Sequence, residues 1–174
     1  MMIPTATFGR IAAFSMFSAA MAILPAQAEI AAPKGEVVLT VGGNIAESNS
    51  PEGAAFDMDM LMALPKSGFD THTTWTEGSH RFEGVPLKAV LDAVGATGGM
   101  ITATALNSYS VEIPIDAIED EVPIIAYHID GEPFSRRDKG PLWIVFPYDA
   151  GEKYQSELVY GYSIWQLAGL TISE

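Results

Sequence analysis

"SRRDKGPLWIVFP", residues 135–147, joins a basic cluster to a Gly-Pro turn and then to an unbroken apolar run. The run is too short for an ordinary helix and rich in β-formers, so it predicts a strand buried on both faces. Such a strand belongs inside a layered domain. Immediately before it, Arg136, Arg137 and Lys139 account for three of the nine Lys and Arg residues in a chain of net charge −13. A concentration of positive charge on so acidic a chain, beside a buried strand, asks for a purpose.

Working outward from that strand, the pattern predicts a single α+β domain of mixed β-sheets with short helices. "VVLTVGG" at 37–43 reads as a strand entering a turn, and 44–53 as a loop. Phe56, Met60 and Leu64 have helical spacing within 54–65, and Pro65 ends that helix. Residues 69–75 read as a strand and 76–84 as a polar loop. "VPLKAVLDAVGA" at 85–96 predicts an amphipathic helix with Leu87, Val90, Leu91 and Val94 on one face and Gly95 at its C-terminus. Strands follow at 101–106 and 109–114 around Asn107-Ser108, then a helical turn at 115–120. The strand within 122–134 runs into Asp130-Gly131, a hairpin signal. Residues 156–173 complete the pattern with one or two strand segments.

The N-terminus has the parts of a secretory signal: a short region carrying Arg10, an apolar stretch at 11–24, and Ala-Gln-Ala at 26–28. The apolar stretch is short for a bilayer core of about 30 Å. The expectation is cleavage after Ala28, a domain over 29–174, and export to the periplasm. A lone arginine points to the general export route, which carries an unfolded chain, so a ligand would be met outside. The acidic balance excludes nucleic acid and anionic lipid as partners, and no later segment is long and apolar enough for membrane insertion. Cysteine is absent. Disulfides, thiolate ligands and thiol nucleophiles are therefore excluded, and stability must come from the core of one domain.

Several constellations invite chemistry. His72, His80 and His128 lack chelating spacing and read as surface or hydrogen-bonded histidines. Met58, Met60 and Met62 could suit Cu(I), but alternate positions on a helix do not share a face, and methionine is ordinary core filler. No nucleophile elbow or spaced carboxylate pair is present. Trp75, beside Thr76 and Glu77, is either a core plug or a platform for a flat ligand. Tyr148 and Asp149 follow the buried strand, and aromatic faces with a few charges at loop positions suit a small aromatic polar ligand.

"FEGVPLKAVLDAVG" (82–95), "ALNSYSVEIP" (105–114) and "RRDKGPLWIVFP" (136–147), in that order, with "WQL" at 165–167, resemble the molybdopterin-binding domain of the sulfite oxidase family. The resemblance runs from about residue 37 to 172 and implies a compact α+β domain. In that family a cysteine thiolate on the segment leading into "FxGxPL" binds molybdenum. Here the segment is "THTTWTEGSHR", and threonine cannot replace a soft thiolate. The chain more closely resembles the short, cysteine-free periplasmic branch, which implies a bound reduced pterin without molybdenum. It also implies contact with the periplasmic domain of a membrane-bound cyclic-di-GMP cyclase/phosphodiesterase, with no catalysis of its own. The enzyme alternative is a molybdopterin-dependent oxidoreductase of the sulfite oxidase class.

A pterin needs an aromatic or guanidinium face, donors for its carbonyl, and an acceptor for its amino-pyrimidinone edge. Under this resemblance Trp75 is the stacking candidate. Arg136, Arg137 and Lys139, or the Gly140 backbone, would serve the carbonyl. Asp149 or Glu77 would take the amino edge, and Tyr109 and Tyr148 would wall the site.

Overall fold

The computed structural model describes residues 30–174; the signal segment expected at 1–28 lies outside the described residues. Among the described residues two sheets pack around one core, with three short α-helices at their margins. The strands are β1 (Val37–Gly43), β2 (Ala54–Asp57), β3 (Ser67–His72), β4 (Ser79–Pro86), β5 (Met100–Ala105), β6 (Ser110–Pro114), β7 (Ile124–Ile129), β8 (Glu132–Pro133), β9 (Trp143–Val145), β10 (Ile164–Trp165) and β11 (Leu167–Ser173). The helices are α1 (Met58–Ala63), α2 (Leu87–Ala93) and α3 (Glu157–Gly161). The α+β class with mixed sheets is the one the sequence pattern predicts.

The first sheet has the order β2-β1-β11-β5-β6. Its β1 and β11 run parallel, with Thr40 opposite Gly169, and the other pairs are antiparallel. Alternation makes the inner face: Leu39 and Val41 from β1, Ile101 and Ala103 from β5, and Ile113 from β6 are fully buried. The second sheet has the order β10-β9-β7-β4-β3, all antiparallel, with β8 added to β7. Its strand β9 is buried throughout, as the continuous apolar run predicts. Asp130 (φ 51°) and Gly131 (φ 84°) both take positive φ at the β7–β8 turn, the conformation a tight hairpin requires.

Four predicted boundaries change. The strand expected at 69–75 is Ser67–His72, which leaves Trp75 in the turn after β3. The loop expected at 76–84 is largely strand β4. Phe82 on that strand is buried while Arg81 and Glu83 face outward, so its polar outer face imitates a loop in sequence. The helix expected from residue 54 begins only at Met58, because Phe56 pairs with Leu39 in the sheet. Residues 157–161, expected as strand, form α3, whose first turn is capped by the Ser156 hydroxyl accepting from the Val159 N–H at 3.3 Å.

Asp57 joins the N-terminal stretch to this framework. Its carboxylate accepts from the Met60 N–H at 2.9 Å, capping α1, and from the N–H groups of Lys34 and Gly35 at 2.7 and 2.8 Å. The Gly35 bond is the largest influence holding this carboxyl below its ordinary range, followed by that of Met60, against an opposing effect of burial. A depressed folded-state value means that the ionised group stabilises the fold above about pH 4 and that the contribution fades as pH falls through the lowered value. Asp57→Ala is therefore expected to melt below the wild type at neutral pH. The gap should close as thermal scans move to acid, and an equal gap at every pH would show that the charge is not what matters.

Candidate functional site

The β3–β4 loop owes its shape to short polar side chains. The Trp75 N–H donates to Thr73 Oγ1 at 3.1 Å, and the Thr73 and Thr76 hydroxyls lie 2.8 Å apart. This local knot, typical of Ser/Thr turns, holds the Trp75 indole over the sheet. The ring meets Trp143, Tyr148, Tyr160 and Trp165 edge-on, with centroid distances of 5.9–6.2 Å. Edge-to-face contacts of this kind are each worth about 0.5–1.5 kcal/mol beyond area burial.

Beside Trp75 opens a cleft of about 400 Å³. Trp75, Tyr160 and Trp165 form its aromatic walls, Tyr109 stands on the β5–β6 hairpin at its edge, and Asn107 and Ser163 supply polar groups. Ala105, Gly161 and Ile164 complete the lining. Among the described residues no charged side chain lines this cleft. Asn107 Oδ1 accepts from the Tyr109 N–H at 3.0 Å, which fixes the amide in place. Its rim is apolar and open: Leu106, Tyr109 and Trp165 are 48%, 60% and 38% exposed.

The residues singled out in the sequence are distributed unevenly about this cleft. Trp75 and Tyr109 line it. Tyr148 is buried beneath, 4.8 Å from the Tyr160 ring centroid, with its hydroxyl bonded to that of Ser163. Burial pushes the Tyr148 phenol up to about 12, so it stays protonated. Thr76 serves the loop knot. The Glu77 carbonyl accepts from His80 Nε2 at 2.8 Å, and its exposed side chain is not in the lining. The Asp149 carboxylate accepts from both the His72 N–H and the His72 Nδ1 at 2.8 Å. Those bonds, the side-chain one first, hold its carboxyl below the usual range.

The basic turn does not line the cleft. Arg136 pairs with Glu36 at 2.7 Å, and Arg137 is exposed. The Lys139 ammonium lies 3.1 Å from Asp138 and 5.8 Å from the Trp143 ring centroid. The Gly140 N–H, expected to face a ligand carbonyl, donates instead to the Ser135 carbonyl at 2.9 Å. The turn is attached to the cleft's rear through Gln166, whose side chain donates to the Arg136 carbonyl and whose N–H donates to that of Lys139, both at 2.9 Å. Sequence reading missed Tyr160, Trp165, Asn107 and Ser163 as lining residues. The aromatic crowding of "VYGYSIW" at 159–165 was the available signal.

An α+β domain of two layered sheets, with an uncharged aromatic cleft at the ends of several strands, is the class of small binding fold that the chain presents. The family model described as the oxidoreductase molybdopterin binding domain matches residues 39–156, and the chain belongs to that family. Sulfane dehydrogenase SoxCD from Paracoccus pantotrophus shares the fold, with a TM-score of 0.57 and 16% sequence identity. That likeness covers 78% of this chain but only 37% of the dehydrogenase chain. A comparison with curated proteins finds no match.

The family implies a molybdenum cofactor, and the donor set here does not fit the metal. The chain has no cysteine. The hydroxyls of Thr73 and Thr76, on the segment that would carry the ligand, are hydrogen-bonded to each other, and hydroxyls are poor partners for a soft metal centre. Among the described residues no cluster of three His, Asp or Glu side chains could take over. Among the described residues the lining also offers no cation to an anionic cofactor tail. It does offer faces for a flat, neutral ring.

Proposed function

We propose that this chain is a non-catalytic pterin-binding protein that takes the ligand without molybdenum. The observation that carries this reading is the aromatic cleft bounded by Trp75, Tyr160 and Trp165, which has no charged group in its lining and no thiolate near it. A bicyclic heteroaromatic fits the 300–1,000 Å³ range of small-molecule sites and gains from stacking on such walls. The amino-pyrimidinone edge needs both a donor and an acceptor, and a side-chain amide such as that of Asn107 supplies both. The basic turn then acts as a structural support for Trp165 through Gln166.

The loaded chain works, in this reading, in the periplasm, by contact with the periplasmic domain of a membrane-bound cyclic-di-GMP cyclase/phosphodiesterase. The signal-like N-terminus, the cysteine-free branch that the chain resembles and the exposed apolar rim of Leu106, Tyr109 and Trp165 support it. Among the described residues no helix is long and apolar enough to cross a membrane. Protein purified from the periplasm is expected to release a pterin, identified by mass spectrometry of a mild extract, with molybdenum far below one atom per chain by elemental analysis. Stoichiometric molybdenum, or a chain that neither carries nor takes up a pterin, would sink the proposal.

A further inference from the structure

We infer that His80, in its doubly protonated form, is a positioning residue for the cleft, and that ligand affinity rises as pH falls because its two ring N–H groups fasten the Trp75 loop. The inference rests on the pterin-binding reading of that cleft. His80 lies on β4 just past the loop Thr73–Gly78. Its Nε2 is 2.8 Å from the Glu77 carbonyl, two residues from Trp75, and its Nδ1 is 2.7 Å from Asp130 Oδ2 on the β7–β8 turn.

A carbonyl only accepts, and an ionised carboxylate only accepts. Asp130 is held ionised by a second bond, from the Arg81 N–H to Oδ1 at 2.9 Å. Both ring nitrogens of His80 must therefore donate, which only the imidazolium can do. A neutral ring has one N–H and must release either the loop or the hairpin.

The surroundings favour the charged form. The Asp130 side-chain bond, the largest influence, raises the His80 value despite partial desolvation, and the Glu77 carbonyl adds to it. The same contact is the largest influence lowering that of Asp130. Of the neighbouring elements, β3 places Thr71 opposite His80, while the Arg81–Asp70 pair follows one position along. The folded-state histidine value is raised, so the staple is complete below about pH 6.5 and is lost as pH climbs through the higher folded value. It persists in acid until Asp130 protonates.

A second pair clasps the other end of the loop but behaves differently. His72 contacts Asp149 through its backbone N–H and through one ring nitrogen, Nδ1, both at 2.8 Å, and one ring N–H is enough for the side-chain contact. The loop is thus fixed at its entrance by a bond that a neutral ring can make and at its exit by one that needs the proton.

The test uses the full chain, with pterin itself (2-amino-4-oxopteridine) as probe, and His80→Gln and Asp130→Asn as variants. Hydrogen exchange of the 73–78 amides is followed in the ligand-free protein, corrected for intrinsic pH effects, together with the pterin Kd. Conditions are about pH 5.5 and about pH 7.5, on either side of the ordinary histidine value. The wild type is expected to protect the loop more in acid and to bind about threefold tighter there, which corresponds to one modest charged contact. Both variants should lose that dependence while keeping cooperative melting. Two variants at opposite ends of the bond guard against a folding defect peculiar to one of them. Loop exchange in the wild type that ignores pH, or a pH slope that survives in the variants, overturns the inference even if pterin binds. Loop exchange that follows His80 with no pterin bound at either pH supports the staple and removes the pterin reading instead.

Discussion

Replacing Trp75 with alanine is expected to weaken pterin binding by at least about tenfold, or about 1.4 kcal/mol, by removing the ring that the cleft is built around. The indole is a cleft wall and meets four other aromatic rings, of which Tyr160 and Trp165 share the lining and Trp143 and Tyr148 do not. The same substitution should therefore lower stability by about 2 kcal/mol, somewhat less than a fully buried tryptophan would cost. Trp75→Phe separates the two roles, because it keeps a stacking face and part of the packing. Its affinity should fall between those of wild type and alanine while its melting temperature stays near wild type. If Trp75→Ala melts early yet binds with unchanged affinity in the cold, the tryptophan is only a plug and the ligand sits elsewhere.

The second large effect concerns the fold. Gly84 lies in "FEGVPL", at the register shift where β4 crosses β7. A Cβ at this position would collide with the Ile125 carbonyl oxygen and approach the Ala126 Cα to 2.7 Å. Those are backbone atoms in the middle of a sheet and cannot swing aside. Gly84→Ala is expected to cost about 2–3 kcal/mol, near the top of the usual range for overpacking. In a domain of this size that lowers the melting temperature by about 5–10 °C. A melting temperature within a degree of wild type would mean that the two strands separate more easily than their burial indicates. The glycine of that motif is therefore a requirement of strand approach, independent of any ligand.

Much of the fold was legible because its signals are local. The buried run that becomes β9, the apolar face Leu87–Val90–Leu91 of α2 and the Asp130-Gly131 turn each follow from a few adjacent residues. The misread pieces have weak local patterns and are set by partners far away. Strand β4 is recruited by β3 and β7 on either side of it. The site was less legible still. Trp75 stood out, but Trp165 reaches it because β10 pairs with β9, Trp165 opposite Trp143, and Tyr160 reaches it from α3. The basic cluster was conspicuous in composition and invited a ligand-facing role. In the folded chain its carbonyls bind Gln166 and its Arg136 binds Glu36, interactions between residues 30 and 100 positions apart that no short window contains.

The position of β11 has a further consequence. Leu167–Ser173 lies between β1 and β5, so the first sheet has its central strand from near residue 170 and a neighbour from near residue 40. Neither half of the chain can finish that sheet alone. A polypeptide emerging N-terminus first would have to wait, with β1 and β5 unjoined, until β11 arrives between them, and long-range pairing of this kind is slow. Trp165 and Gln166 arrive with it, so cleft and sheet are completed in one step. The ligand would then meet either a whole binding surface or none, and an incompletely emerged chain could not capture it early.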